Sequence, residues 1–127
     1  MKLIGLFALI PLLGACAGSP AWESMQISST RSEAEKNNAN LMNAQIGQTK
    51  DELLEIMGPP AKREAYRLAN DKVIEFLLYR TAGWDSRQSG DTDSQFTPIA
   101  IQNGEVAGWG RNYYDSVVRS AVDITIN

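Results

Sequence analysis

The chain has 127 residues, 12 of them basic and 15 acidic, with no histidine and a single cysteine. A chain of this length suits one domain with one modest hydrophobic core. Its formal net charge of −3 argues against nucleic acid as a partner, because phosphate binding needs a clustered positive surface. The absence of histidine excludes Ser-His-Asp catalysis and most zinc or copper sites. We therefore expect a non-enzymatic protein without a metal or cofactor.

Two pairs of carboxylates are candidates for glycosidase-type chemistry, Asp91 with Asp93 and Glu52 with Glu55. Both pairs have simpler explanations. The first lies in a polar, glycine-containing stretch that is typical of a solvated loop. The second lies in the first turns of a predicted helix, where negative charge suits the helix dipole. The sequence therefore favours binding over catalysis.

The N-terminus has the pattern of a secretory signal peptide. A basic residue is followed by an almost wholly apolar run over residues 3–13 and by small residues before Cys16. The Leu-Gly-Ala-Cys sequence that ends at Cys16 resembles the bacterial lipobox, in which the cysteine becomes the acylated first residue. This resemblance implies that residues 1–15 are removed and that Cys16 anchors the protein to membrane lipid. Two or more acyl chains make such an anchor stable.

Ala17 follows the cysteine where lipoproteins kept at the inner membrane usually have aspartate. The resemblance therefore implies a position on the periplasmic face of the outer membrane. The alternatives are an ordinary secreted protein with a cysteine near its cleavage site, and an uncleaved membrane anchor. With its only thiol bonded to lipid, the protein cannot form a disulfide.

The first part of the mature chain is predicted to be a flexible tether over residues 16–30, because it is polar, rich in serine and without apolar periodicity. Trp22, Met25 and Ile27 are its apolar exceptions. They either touch the lipid interface, hold a partner, or have no definable role. A single domain is predicted to follow over residues 31–127.

Two short helices are predicted at the start of this domain. The first, Arg31–Gln45, has helix-forming composition weakened by four asparagines. The second, Lys50–Met57, has a capping threonine at Thr49 and an apolar stripe. Gly58 and the two prolines that follow it end this helix.

The remaining elements alternate with a period of two residues and predict an antiparallel sheet of two hairpins. The Asn-Gly pair at 103–104 marks the second hairpin. Pro98 marks its strand as an edge strand or marks the strand's entry. The fold class is thus α+β, with two N-terminal helices packed on the sheet. The predicted strands are Ala61–Leu68, Lys72–Arg80, Phe96–Gln102 and Glu105–Arg111, with Lys72–Arg80 central.

Two segments are candidates for partner binding. Thr81–Gln95 is predicted to be a long mobile loop that contains Trp84. The stretch from Trp109 to Tyr114 combines aromatic residues with an arginine, which are the types that dominate binding hot spots. The alternative for this second segment is that Trp109 and one tyrosine seal the sheet against a helix. The candidate partner-binding residues are Trp84, Trp109, Arg111, Tyr113 and Tyr114.

The order of these motifs resembles a known family. Ile-Gly-Gln-Thr-Lys-Asp-Glu-Leu-Leu-Glu-Ile-Met-Gly-Pro-Pro from Ile46 to Pro60 precedes a strand with Phe76 and Tyr79 and then the Asn-Gly turn. With the lipobox, this pattern is similar to the SmpA/OmlA (BamE-like) family of small outer-membrane lipoproteins. Gln48 stands where the family usually has methionine.

The resemblance implies an accessory binding subunit in envelope or β-barrel outer-membrane protein assembly, with a protein partner and no nucleic acid. The family's architecture also resembles that of β-lactamase inhibitor proteins. A free-standing inhibitor or ligand-binding lipoprotein is therefore one alternative, with Trp84 at the tip of a rigid loop. A structural lipoprotein of another apparatus, such as one for secretion or motility, is a second. The sequence leaves the oligomeric state open.

Overall fold

The computed structural model describes residues 21–126, with side chains through Ala121. Within this range the fold is α+β, with three helices and a four-stranded antiparallel sheet. None of the described helices is long and apolar enough to cross a membrane. The elements in chain order are α1 (Ala21–Leu41), α2 (Lys50–Met57), β1 (Lys62–Arg67), β2 (Val73–Arg80), β3 (Phe96–Gln102), β4 (Glu105–Trp109) and α3 (Arg111–Ile126).

The sheet is a meander in which each strand pairs with the next. The prediction of two hairpins is incomplete, because β2 also pairs with β3 along its length and joins the hairpins into one sheet. The inner position of β2 explains why its sequence is apolar on both faces. Leu77 and Tyr79 pack in the cluster formed with α2, whereas Phe76 and Leu78 pack in the cluster formed with α3.

The second helix and its ends match the prediction. The hydroxyl of Thr49 accepts a hydrogen bond from the Glu52 N–H at 3.2 Å and caps the helix. Gly58 ends it at φ 75°, a left-handed value that favours glycine, and its N–H donates to the Leu54 carbonyl at 2.8 Å. Leu53 is fully buried, so α2 packs on the sheet through its apolar stripe.

The first helix is longer than predicted. In place of Arg31–Gln45, it begins ten residues earlier and ends four residues earlier. The flexible tether predicted over residues 16–30 is therefore wrong for residues 21–30, which are helical. Cys16 and the predicted signal peptide lie outside the described residues. The early turns lack an apolar stripe, but extending a helix that has already formed is much easier than nucleating one.

The position of Pro98 differs from the prediction of an edge or an entry. It is buried inside β3, an inner strand. In the alternating hydrogen-bond ladder, the backbone nitrogen of Pro98, which carries no hydrogen, faces the end of β4. There the Pro98 carbonyl accepts from the Gly110 N–H at 3.0 Å, while the Gly110 carbonyl accepts from the Tyr114 N–H at 3.1 Å. Pro98 lies where the hydrogen-bond ladder between β3 and β4 ends and α3 begins. The sheet therefore does not need a backbone donor at this position.

The third helix was not predicted. The strand predicted over Glu105–Arg111 ends at Trp109, because Gly110 takes φ 111° and turns the chain into α3. This helix covers the face of the sheet opposite α2, through Tyr113, Tyr114 and Val117. The two predicted N-terminal helices therefore cover only one of the two faces.

Candidate functional site

Arg80, the last residue of β2, is the centre of a buried polar junction. The residue is 6% exposed. Its guanidinium donates to three side chains, Glu33 at 3.2 Å, Asp91 at 2.5 Å and Gln95 at 3.0 Å. It also lies 4.8 Å from the centroid of the Phe96 ring. Because a buried charge needs such partners, this junction holds α1, the sheet and the loop after β2 together.

The middle of α1 packs on the junction through polar atoms. The buried Asn37 amide donates to the Arg80 carbonyl at 2.9 Å, and Asn38 donates to the next carbonyl at the same distance. Two turns earlier, the Thr30 hydroxyl accepts from the Trp84 N–H at 2.9 Å. A helix without an apolar stripe is thus positioned by hydrogen bonds.

Asp91 connects the junction to Trp84. The Trp84 indole N–H donates to Asp91 Oδ1 at 2.9 Å, and Arg80 donates to the same oxygen. These hydrogen bonds, from the indole first and the guanidinium second, lower the pKa of the Asp91 carboxyl. The carboxyl therefore stays ionised at a more acidic pH than an ordinary aspartate.

The loop over Thr81–Gln95 is anchored, in contrast to the predicted mobile loop. Besides its bonds to Thr30 and Asp91, Trp84 accepts a hydrogen bond from Arg31 Nε at its carbonyl, at 3.2 Å. Trp84 therefore lies at the base of the loop against α1. It does not lie at a free tip, where the inhibitor alternative requires it.

Tyr113 and Tyr114, in the first turn of α3, pack this helix against the sheet. Both rings lie edge-to-face on Phe76, with centroid distances of 6.4 and 4.9 Å. The Tyr114 hydroxyl donates to the Glu64 carboxylate, which also accepts from the Tyr66 hydroxyl. Burial and the hydrogen bond to this carboxylate raise the pKa of Tyr114. These contacts support the alternative in which a tyrosine seals the sheet against a helix.

Trp109 and Arg111 are also used within the domain. Trp109 is half-buried and packs against the core beneath α2. Arg111 donates to the carbonyls of Asp93 and Phe96, at 2.7 and 3.0 Å, and lies 4.8 Å from the centroid of the Tyr114 ring. The five predicted partner-binding residues are thus spread over both faces of the sheet and the loop. Their role in partner binding stays a prediction.

The two edges of the sheet differ. The edge of β4 is partly covered, because the Gly47 N–H donates to the Val106 carbonyl and the Val106 N–H donates to the Gln48 carbonyl. Among the described strands, β1 pairs only with β2. The alternating ladder directs the backbone groups of Arg63, Ala65 and Arg67 away from β2. All three residues are exposed, so β1 is an open edge to which an extended segment can add as a fifth strand.

The open edge is basic. Residues 61–72 contain four basic and two acidic side chains, a net charge of +2 on a chain whose total is −3. If a second copy paired antiparallel about Ala65, Arg63 would face Arg67 of that copy, and like charges directly opposite are destabilising. An acidic segment would instead meet opposite charge.

One of the edge arginines is partly engaged. Arg63 forms an ion pair with Glu75, which also receives Lys50 at 2.8 Å. Burial opposes ionisation of Glu75, but the hydrogen bonds from Lys50 and Arg63 outweigh it and lower the pKa of this carboxyl. The Arg63 side chain is still 64% exposed and open to a partner.

A shallow groove of about 460 Å³ lies between α3 and the β1–β2 turn. Its lining offers hydroxyls and one amide, and it contains no charged side chain. Within residues 21–126 no group of acidic, histidine or cysteine residues is arranged to hold a metal ion. The groove is lined by Leu68, Ala69, Asn70, Ser116, Val117 and Ser120.

A family model described as a protein of unknown function (DUF3192) matches residues 19–116. The chain belongs to the DUF3192 family. The matched range contains the Arg80 junction and the β1 edge, together with the beginning of α3. Searches of curated proteins and of solved structures give no match for this DUF3192 chain.

Sequence reasoning missed both the junction and the open edge. An arginine that directly follows the apolar run Phe76–Tyr79 has little access to water, which indicates acidic partners elsewhere in the chain. The edge had a weaker signal, the excess of basic residues in the first predicted strand. Strand order decides which strand is the edge, and the sequence pattern does not specify that order.

Proposed function

We propose that this DUF3192 protein is a lipid-anchored, non-enzymatic lipoprotein that binds an extended, acidic protein segment as an accessory subunit in envelope assembly. The observation that supports binding is the open β1 edge, with its outward backbone groups and exposed arginines. Main-chain hydrogen bonds would supply affinity, and Arg63 and Arg67 would select for acidic side chains.

The anchor and the location are inferred from the N-terminal sequence. The lipobox at Cys16 supports acylation, and Ala17 supports the periplasmic face of the outer membrane. The resemblance to the SmpA/OmlA family supports a role beside the machinery that inserts β-barrel proteins. The anchored Trp84 gives no support to the inhibitor alternative, and the identity of a captured partner would distinguish the other envelope complexes.

The test is site-specific photocrosslinking in intact cells. A benzoylphenylalanine at Ala65 places the probe on the open edge, and the same probe at Glu55, exposed on α2, is the matched control. We expect an adduct from Ala65 that is absent from Glu55 and weakened by charge reversal at Arg67. A Cys16→Ser variant tests whether the adduct needs the anchor.

Mass spectrometry of the adduct then identifies the partner. Barrel-assembly proteins in the Ala65 adduct would support the proposed role. Components of another apparatus would support binding at this edge but contradict the assembly role. The same yield from both probe positions would contradict the β1 edge as the binding surface.

A further inference from the structure

The first two turns of α1 extend beyond the packed part of the domain. The first buried side chain of this helix is Thr30, and Ala34 and Asn37 continue the buried stripe. Trp22 and Met25 are 59% and 70% exposed. Because Trp22 and Met25 are three positions apart in the sequence, they lie side by side on the helix surface and away from the stripe. Isolated exposed apolar residues are common and need no explanation by themselves. The short distance between this pair and the lipid anchor, however, gives the pair a role.

The chain between the anchor and α1 is short. Five residues lead from Cys16 to Ala21, which is about 17 Å even when fully extended. An acylated Cys16 therefore keeps the start of α1 at the bilayer surface. Met42, an exposed apolar residue at the other end of the helix, lies about 30 Å from Trp22 along the axis. Trp22 and Met25 are thus the exposed pair that the anchor brings to the lipid.

We propose that Trp22 and Met25 insert into the interfacial region of the leaflet that holds Cys16. This inference rests on the lipid anchor of the proposed function. The indole suits this depth because it combines a large apolar ring with one polar N–H. The acyl chains already supply stable attachment. The contribution of the pair is therefore to fix the angle of α1, and with it the domain, relative to the membrane.

The test is quenching of tryptophan fluorescence by brominated lipid. The mature, lipidated protein, which begins at the acylated Cys16, is placed in vesicles of phosphatidylethanolamine and phosphatidylglycerol that contain phosphatidylcholine brominated near the top of one acyl chain. Trp84 and Trp109 are half-buried in the domain and supply the unquenched emission. We expect quenching in the natural chain and loss of most of it in Trp22→Phe. Met25→Ser should reduce the quenching, whereas Met42→Ser, an even more exposed site just beyond the far end of α1, should leave it unchanged.

Flotation of the same vesicles separates failure of the anchor from failure of the inference. Protein that does not float with the vesicles would overturn the anchor and the inference together. Protein that floats but shows no quenching, or shows equal quenching in the natural chain and Trp22→Phe, would overturn the inference alone. Equal loss of quenching in Met25→Ser and Met42→Ser would also overturn it, since only Met25 lies near the anchor.

Discussion

The first two helices are held in the domain by different forces. α2 has eight residues and buries Leu53 and Met57 in the apolar core. α1 has 21 residues, yet Thr30 and Asn37 are among the few it buries, and it is held mainly by hydrogen bonds around Arg80. The apolar helix therefore belongs to the cooperative core, whereas the polar helix depends on one junction. This difference predicts that α1 opens locally at a lower free energy than α2.

Leu53→Ala tests the packing of α2 in the apolar core and has the largest expected effect. Leu53 is fully buried, so the substitution removes its transfer free energy and leaves a cavity. We expect a loss of about 3 kcal/mol in the free energy of unfolding. Urea unfolding measures this loss, and amide hydrogen exchange should show it throughout the sheet. Glu55→Ala, an exposed change on the same helix, should stay within about 0.5 kcal/mol. A small effect of Leu53→Ala would mean that α2 is not part of the cooperative core.

Arg80→Met tests the polar junction that holds α1. The substitution keeps an apolar chain on Phe96 but removes the donors to Glu33, Asp91 and Gln95. We expect a loss of about 2 kcal/mol, because the buried Gln95 oxygen keeps only the long hydrogen bond from the Thr92 N–H, at 3.3 Å, while both carboxylates are half-exposed and can be hydrated. Amide exchange should accelerate mainly in α1 and in the loop after β2.

The control for this junction is Arg87→Met, an exposed site in the same loop, which should leave the exchange unchanged. Faster exchange spread evenly over the sheet in Arg80→Met would contradict the comparison between the two helices. It would show that the polar junction and the apolar core unfold as one unit.

The contrast between the helices also explains which elements could be predicted from the sequence. The boundaries of α2 follow from signals within ten residues, a capping threonine, an apolar stripe and Gly58. The turn at Asn103 and Gly104 is equally local, and both residues take the positive φ values that a type I′ turn requires. Such local rules suffice where the chain's own neighbours decide the structure.

The missed features depend on contacts between distant residues. The early turns of α1 have no periodic pattern, and its interaction with Arg80 spans more than forty residues. Pro98 can lie inside an inner strand only because β4 ends beside it. No signal in the sequence around the proline indicates where β4 ends. The candidate site was missed for the same reason. Trp84 and Tyr114 look like binding residues in the sequence, and only the fold shows that both have partners within the domain.

The smallest expected effect tests the charge at the polar junction by acidification. The pKa of Asp91 is lowered in the folded protein from an ordinary value of 3.8. Its ionised form therefore adds stability that is complete above about pH 5 and is lost as the pH falls through the lower, folded-state pKa. Asp91 is 45% exposed, so water screens its interaction and the effect is modest. We expect the α1 amides to have lower protection factors at pH 3 than at pH 6, where the protection factor is the intrinsic exchange rate at each pH divided by the measured rate.

Asp91→Asn isolates this contribution. The variant lacks the charge at every pH, so its α1 amides should exchange faster than those of the natural chain at pH 6, and the difference between the two proteins should shrink as the pH falls to 3. Glu75, whose pKa is also lowered, loses its stabilising charge in the same pH range in both proteins, so the difference between them reports Asp91 alone. A constant difference from pH 6 to pH 3 would show that the Asp91 charge does not hold the polar helix in place.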